Sequence, residues 1–224
     1  MRFRNLKIIG TSHIAQTSLK KVTEEIAHLH PAIVALELDQ SRLHTLLHPT
    51  ENRKITLAFV RAVGAKGAAF AILASWAQRK LGSMIGTTPG GEMLAAYKEA
   101  QLVGSRVALV DQEITTTLQR LSNSLSWKEK ARFAIDVLRG FFEKNKKIDL
   151  RSVPEDALVE TLLAQVKHRY PNVYRVLVTE RNKFMAAKLC ALMTQTNDPI
   201  VAVMGAGHIK HVHVLVQKYL KKVS

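Results

Sequence analysis

Two similar stretches near opposite ends of the chain decide its fold: residues 6–15, "LKIIGTSHIA", and residues 201–210, "VAVMGAGHIK". In each, an apolar run stops at a glycine, and a histidine follows three residues later. Short runs rich in Val, Ile and Leu are typical of buried strands. We therefore expect His13 and His208 just beyond the carboxyl ends of two strands.

Two further apolar runs complete a set of predicted strands. The four strands are Lys7–Ile9, Ile33–Leu38, Val107–Val110 and Ile200–Met204. Helical patterns separate them, over 18–29, 41–47, 57–85, 92–103, 127–143, 154–168, 172–194 and 208–222. The alternation predicts an α/β fold with a central, mostly parallel sheet flanked by helices. We predict one domain over 1–224, with a helical insert at about 51–90 and 113–170.

Composition narrows the classes of partner. The single cysteine, Cys190, cannot form an internal disulfide, and with no secretory signal pattern a reduced, cytoplasmic setting is expected. The net charge of +15 is scattered, without a long basic run or an aromatic platform. This argues against a specific nucleic-acid site and leaves peripheral association with an anionic membrane open.

The longest apolar region is predicted to be a buried helix. Arg61 and Lys66 interrupt residues 55–77, so a membrane-spanning helix is not expected there. Its run "AAFAILA" is apolar on all sides, which predicts packing against the domain or a second copy. A symmetric homodimer is the expected assembly.

Charged residues follow several of the predicted strands. In "VALELDQSR", Glu37 and Asp39 point to one face and Arg42 follows within reach of either, which suits an ion pair or a functional site. Asp111 follows the third strand and is either a site residue or the N-cap of the next helix. Arg120 lies about two turns into that helix.

Two glutamates stand in helical patterns. In the helical pattern over 172–194, residues at helical spacing form a mostly apolar stripe, which predicts the inward face of the helix. The stripe consists of Val173, Leu177, Glu180, Phe184, Ala187 and Ala191. Glu180 is then expected to face the site and meet a partner from another segment, unless the stripe reaches the rim there. Arg181 projects about 100° away from this stripe. Glu92, after "TPGG", begins a helix, where the helix dipole alone favours a carboxylate.

The two histidines are candidates for a metal site. Ligands gather at the carboxyl ends of parallel strands. Two neutral imidazoles and a carboxylate can hold a divalent metal with open coordination positions. Two histidines that are only structurally hydrogen-bonded would give the same pattern.

Several quoted segments together resemble the TraB/PrgY family of pheromone-shutdown proteins. They occur in family order and are "IIGTSHIAQTSLKKV", "PAIVALELDQSR", "AQRKLGSMIGTTPGGEMLAAYKEA", "VALVDQEITTTLQR", "VLVTERNKFMA" and "VAVMGAGHIKHV". The resemblance implies a relationship to the Tiki metalloproteases and to erythromycin-esterase-like and haem-binding ChaN-like folds. By motif position, the implied functional residues are His13, Glu37, Glu180 and His208, surrounded by Arg42, Glu92, Asp111, Arg120 and Arg181. One departure is Gln112, where the family usually has arginine.

The resulting hypothesis is a metal-dependent hydrolase that acts on peptides. A divalent metal, with Mn, Co and Zn as candidates, would be held by His13, His208 and the glutamates Glu37 and Glu180. The alternatives are a protein that captures a peptide or a haem-like ligand without turnover, and a partner-binding or membrane-adaptor protein that works through a helix over 55–85. The sequence does not separate catalysis from capture.

Overall fold

The computed structural model describes residues 1–11, 16–49, 60–61, 64, 90–126, 128–129, 132, 136 and 155–221. Within these ranges the strands are β1 (Arg2–Phe3), β2 (Leu6–Thr11), β3 (Ile33–Leu36), β4 (Arg106–Leu109) and β5 (Ile200–Gly205). The α-helices are α1 (Gln16–Leu29), α2 (Gln40–Leu47), α3 (Gly91–Leu102), α4 (Ile114–Ser124), α5 (Glu155–Arg169), α6 (Pro171–Tyr174), α7 (Arg181–Gln195) and α8 (Ala206–Lys221). A π-helical segment, Arg175–Glu180, joins α6 to α7.

The five strands form one sheet in the order β1-β2-β5-β3-β4. Only the short β1 runs antiparallel to its neighbour, and the other pairings are parallel. Strand β5, the last in the chain, lies between β2 and β3, with Ile200 opposite both Leu6 and Ile33. The carboxyl ends of β2, β5, β3 and β4 therefore meet at one edge of the sheet.

Alternating residues of β5 divide the core into two layers. Ile200, Ala202 and Met204 pack on the face covered by α7 and α8. Val201 and Val203 pack on the opposite face, with α1, α2 and α3. Because both faces of the sheet are covered, the central strands β3 and β5 are apolar along their whole length. The α/β prediction is confirmed, and all four predicted strands are present with small shifts at their ends.

A glycine allows the two Gly-x-x-His segments to pack on each other. A Cβ atom at Gly10 would lie 2.0 Å from Cδ1 of Ile209, the residue after His208. Gly10 thus permits close approach of the start of α8 to the end of β2.

The predicted phase of helix 172–194 is wrong. Phe184 is 36% exposed, and Ala187 and Ala191 are exposed as well. The buried residues of α7 are instead Asn182, Met185, Ala186, Leu189 and Met193. The cause is the π-helical segment before α7. A π turn contains more residues than an α turn, so the 3.6-residue period cannot be extrapolated through it.

Some sequence predictions fall outside the described residues. They are most of the helix over 57–85, on which the homodimer prediction depends, most of the helix over 127–143, and His13 itself. The homodimer and the boundaries of the helical insert stay predictions. In the part of the chain that the structure describes, no helix has the length and apolar character needed to cross a membrane.

The corrected helix phase predicts which of two adjacent large side chains stabilises the fold. Met185→Ala should lower the free energy of unfolding by about 2–5 kcal/mol, because it opens a cavity in the layer between α7 and the sheet. Phe184→Ala should cost less than about 1 kcal/mol, since that ring is partly in solvent. Urea denaturation of both variants measures the difference. If the stripe predicted from the sequence were correct, Phe184→Ala would lower the free energy of unfolding more than Met185→Ala.

Candidate active site at the strand ends

Polar groups from five elements meet where the parallel strands end. Glu37 directly follows β3, and Asp111 follows β4 by two residues. Gly205 ends β5, and His208 lies in the first turn of α8. Arg181, the first residue of α7, reaches this edge from the side. The parallel register of β3, β4 and β5 aligns these ends and so assembles the group.

Asp111 is at the centre of the group. Its side chain is fully buried and accepts hydrogen bonds from the backbone N–H of Gln112 at 2.7 Å and from Arg42. Arg181 adds two more, from Nε at 3.0 Å and from Nη2 at 2.6 Å. Burial raises the pKa of Asp111, but the two guanidinium groups outweigh it and hold that pKa below its usual value.

Glu37 connects Arg181, which binds Asp111, to strand β5. One carboxylate oxygen, Oε2, accepts the backbone N–H of Gly205 at 2.8 Å. The other, Oε1, accepts Arg181 Nη2 at 2.5 Å and lies 3.4 Å from His208 Nε2. The carboxylate therefore lies at the positive end of α8, which favours its negative charge.

His208 is held in one orientation by Asn182. Its Nδ1–H donates to Oδ1 of Asn182 at 2.5 Å. Burial lowers the pKa of His208, and the nearby Arg181 lowers it further against the opposing effect of Glu37. The neutral ring thus carries its lone pair on Nε2, which faces Glu37 Oε1 and Arg181 Nη1, each at 3.4 Å.

Arg42 links Asp111 to the start of α2. Asp39 caps α2 by accepting the backbone N–H of Arg42 at 3.0 Å, and it also accepts Arg42 Nε at 2.6 Å. The local ion pair weighed from the sequence is therefore formed with Asp39, and Arg42 joins the site as well. Asp111 does not cap the following helix, because Glu113 occupies that position.

Glu180 and Arg120 lie together at the rim. Glu180 Oε2 accepts Arg120 Nη1 at 3.2 Å, and Arg175 approaches Oε1 at 4.0 Å. The Glu180 side chain is 25% exposed. Its expected partner from another segment is thus Arg120, but the expectation that Glu180 lies within an inward apolar stripe was wrong. The pair borders an open groove of about 440 Å³ that also includes Gln112 and Phe184.

The remaining candidates are spread more widely. Glu92 is buried in the first turn of α3, at the positive end of that helix. His211, one turn after His208, is exposed on the outer side of α8. His13 lies outside the described residues, two positions beyond the end of β2. Within the described ranges, no three His, Cys, Asp or Glu side chains converge to form a metal cage.

Sequence reasoning missed Asn182, the residue that orients His208. Asn182 is buried next to Met185 on the inward face of α7. The available signal was its helical spacing from the apolar residues Val178 and Met185, but the mistaken helix phase put this face on the outside. Gln112 was identified as a departure from the family pattern, and its side chain is buried and donates to Thr117 Oγ1 at 3.1 Å.

Asp111 is predicted to stabilise the fold strongly. Asp111→Asn should lower the free energy of unfolding by about 3 kcal/mol, since two partly buried guanidinium groups lose their shared carboxylate. The control is Glu24→Gln, which removes one partner of the exposed Lys20–Glu24 pair and should cost less than about 1 kcal/mol. Similar losses in urea denaturation would contradict the central role of Asp111.

The Asp111 contribution should also depend on pH. The pKa of Asp111 is lower in the folded protein than its ordinary value of 3.8, so its stabilisation is fully present above pH 3.8. It is lost as the pH falls from there through the folded pKa. The difference in unfolding free energy between wild type and Asp111→Asn should be constant from pH 7 to about pH 5 and shrink in stronger acid. A difference that shrinks already near neutral pH would contradict this assignment.

Asn182 is predicted to fix the tautomer of His208. Nitrogen-15 NMR of the wild-type protein should show His208 with its proton on Nδ1. Asn182→Ala should give a mixture of tautomers, because the Nδ1–H loses its acceptor. The exposed His44 and His48 rings are internal controls and should not change. An unchanged His208 spectrum would mean that Asn182 does not orient the ring.

Comparison with known proteins identifies the family. The model of the TraB/PrgY/gumN family matches residues 4–222. An uncharacterized protein of Methanocaldococcus jannaschii is 33% identical over 225 residues, which cover 98% of this chain and 54% of the relative. A human TraB domain-containing protein is 26% identical over 227 residues, which cover 90% of this chain and 60% of the relative. The chain thus spans little more than half the length of these relatives, and it belongs to the TraB/PrgY/gumN family.

Proposed function

We propose that this chain is a metal-dependent hydrolase that acts on peptides. The observation that carries the proposal is the fixed pair of donors at the strand ends. His208 presents an unprotonated Nε2 at 3.4 Å from Glu37 Oε1, and Asn182 holds the ring from behind. Imidazole rings that bind a metal usually donate their other N–H to such an acceptor.

The donor set fits a divalent cation. Two donors at 2.0–2.2 Å from one ion can lie 3.4 Å apart, as Nε2 and Oε1 do. The formal charges also fit, because the carboxylates of Glu37, Asp39 and Asp111 exceed the guanidinium groups of Arg42 and Arg181 by one. One imidazole and one carboxylate suit Mn²⁺, Co²⁺ or Zn²⁺. His13, which follows the neighbouring strand β2, is the proposed third ligand.

The chain's own residues have separate roles in this proposal. His208, Glu37 and His13 would hold the metal, which supplies Lewis acidity and lowers the pKa of water towards neutrality. The groove beside Arg120 and Glu180 has a volume within the usual range for ligand pockets and would hold part of the peptide.

Proton transfer and peptide orientation are proposed for the rim. The Glu180 carboxylate is partly open to solvent, so it can exchange a proton with a substrate that enters the groove. Arg120 is 54% exposed and can donate to a peptide carbonyl while it stays next to Glu180. The peptide as substrate class comes from the family resemblance, and the size and polarity of the groove are compatible with it.

Metal uptake tests the proposal. Wild-type protein, first treated with a chelator, is dialysed against Mn²⁺, Co²⁺ or Zn²⁺, and bound metal is measured. We expect about one ion per chain for the wild type and a large loss for His208→Ala and His13→Ala. His211→Ala is the matched control, because His211 lies on the same helix but is exposed.

Two experimental results would contradict the hydrolase proposal. If the wild type takes up none of these ions, the donor pair is not a metal site and ligand capture without turnover becomes the favoured function. If metal binds but a peptide library is not cleaved, the site is a metal-binding one without peptidase activity. Circular dichroism of each variant separates loss of metal from loss of fold.

A further inference from the structure

We infer that Arg181 competes with a divalent cation for Glu37 and His208, and that this competition sets the metal affinity of the site. The inference rests on the proposed function, since it concerns the same donor pair. It assigns Arg181 a role that differs from a simple structural ion pair.

The guanidinium group of Arg181 already bridges the two proposed ligands. Its Nη2 donates to Glu37 Oε1 at 2.5 Å, and its Nη1 lies 3.4 Å from His208 Nε2. These are the same two atoms, Oε1 and Nε2, that would bind the metal. A positive charge at this place satisfies the carboxylate in the way a metal ion would. A metal ion and the guanidinium group cannot contact both atoms together without strong repulsion between like charges.

Arg181 has a second set of contacts that does not depend on the donor pair. Its Nε and Nη2 donate to Asp111 at 3.0 and 2.6 Å, and its Nη1 donates to the backbone carbonyl of Leu177 at 3.2 Å. The side chain can therefore give up Glu37 and His208 and remain paired in the protein. This alternative makes displacement by a metal less costly than the release of a buried arginine without another partner.

Arg42 offers a matched comparison. It carries the same charge and binds the same carboxylate, that of Asp111, but its other described contact is with Asp39. Loss of Arg42 and loss of Arg181 therefore remove equal charge from the network. Only the loss of Arg181 frees the two proposed metal ligands.

The test compares Co²⁺ binding by wild type, Arg181→Gln and Arg42→Gln. Binding is followed by the visible absorbance of bound Co²⁺ and by competition with a chromophoric chelator, so it does not depend on catalytic activity. We expect Arg181→Gln to bind Co²⁺ at least about tenfold more tightly than the wild type, because a competing cation is gone. Arg42→Gln should change the affinity by less than about threefold, because Arg42 pairs with Asp39 and Asp111 and contacts neither Glu37 nor His208.

A second substitution covers a failure of Arg181→Gln to fold. Arg181→Lys keeps a positive charge next to Asp111, but a single ammonium group lacks the fork that reaches both Glu37 and His208. It should give an affinity between those of the wild type and Arg181→Gln. Circular dichroism and thermal unfolding check the fold of each variant before titration.

The outcomes separate this inference from the proposed function. Equal or weaker Co²⁺ binding by Arg181→Gln and Arg181→Lys, with clear binding by the wild type, would overturn the inference and leave the metal site in place. An equal gain in Arg42→Gln and Arg181→Gln would also overturn it, because net charge alone would then explain the effect. Binding by Arg181→Gln but not by the wild type would support the competition and remove the metal from the wild-type function. No binding by any of the proteins would refute both.

Discussion

The fixed point of this structure is a single buried carboxylate, that of Asp111. It accepts hydrogen bonds from two arginines that come from different parts of the chain, Arg42 in α2 and Arg181 in α7. A buried carboxylate is tolerable only when it is fully paired, and Asp111 is the carboxylate that both arginines contact. The requirement to satisfy one charge therefore ties two helices to the end of β4, on opposite faces of the sheet.

This arrangement also determines what the site can do. Arg181, which is held by Asp111, also donates to one carboxylate oxygen of Glu37. The backbone N–H of Gly205 donates to the other oxygen. His208 is oriented independently, through Asn182 on α7. In the part of the chain that the structure describes, Glu37 and His208 are thus each held by a residue of another element. Such preorganisation is what a metal or ligand site needs, and it limits the reorganisation that accompanies binding.

Much of this could be predicted from the sequence because parallel strands have a simple signature. Continuous apolar runs identified the strands, and the charged residues that follow them, Glu37 and Asp111, were identified from position alone. The partners could not be predicted, since an ion pair such as Arg181–Asp111 depends on packing over 70 residues of separation. Asn182 was missed for a local reason, namely that helical periodicity was extended through a π turn.

The π-helical segment has a consequence for the evolution of this chain. A π turn is equivalent to one additional residue within an α-helix, so residues 175–180 separate the phase of α6 from that of α7. The rim of the groove lies at this segment, while the buried contacts of α7 follow it. An insertion or deletion in this segment would rotate the residues at the rim of the groove relative to the buried residues of α7. We therefore expect the length of the segment to be under stronger selection than most of its side chains.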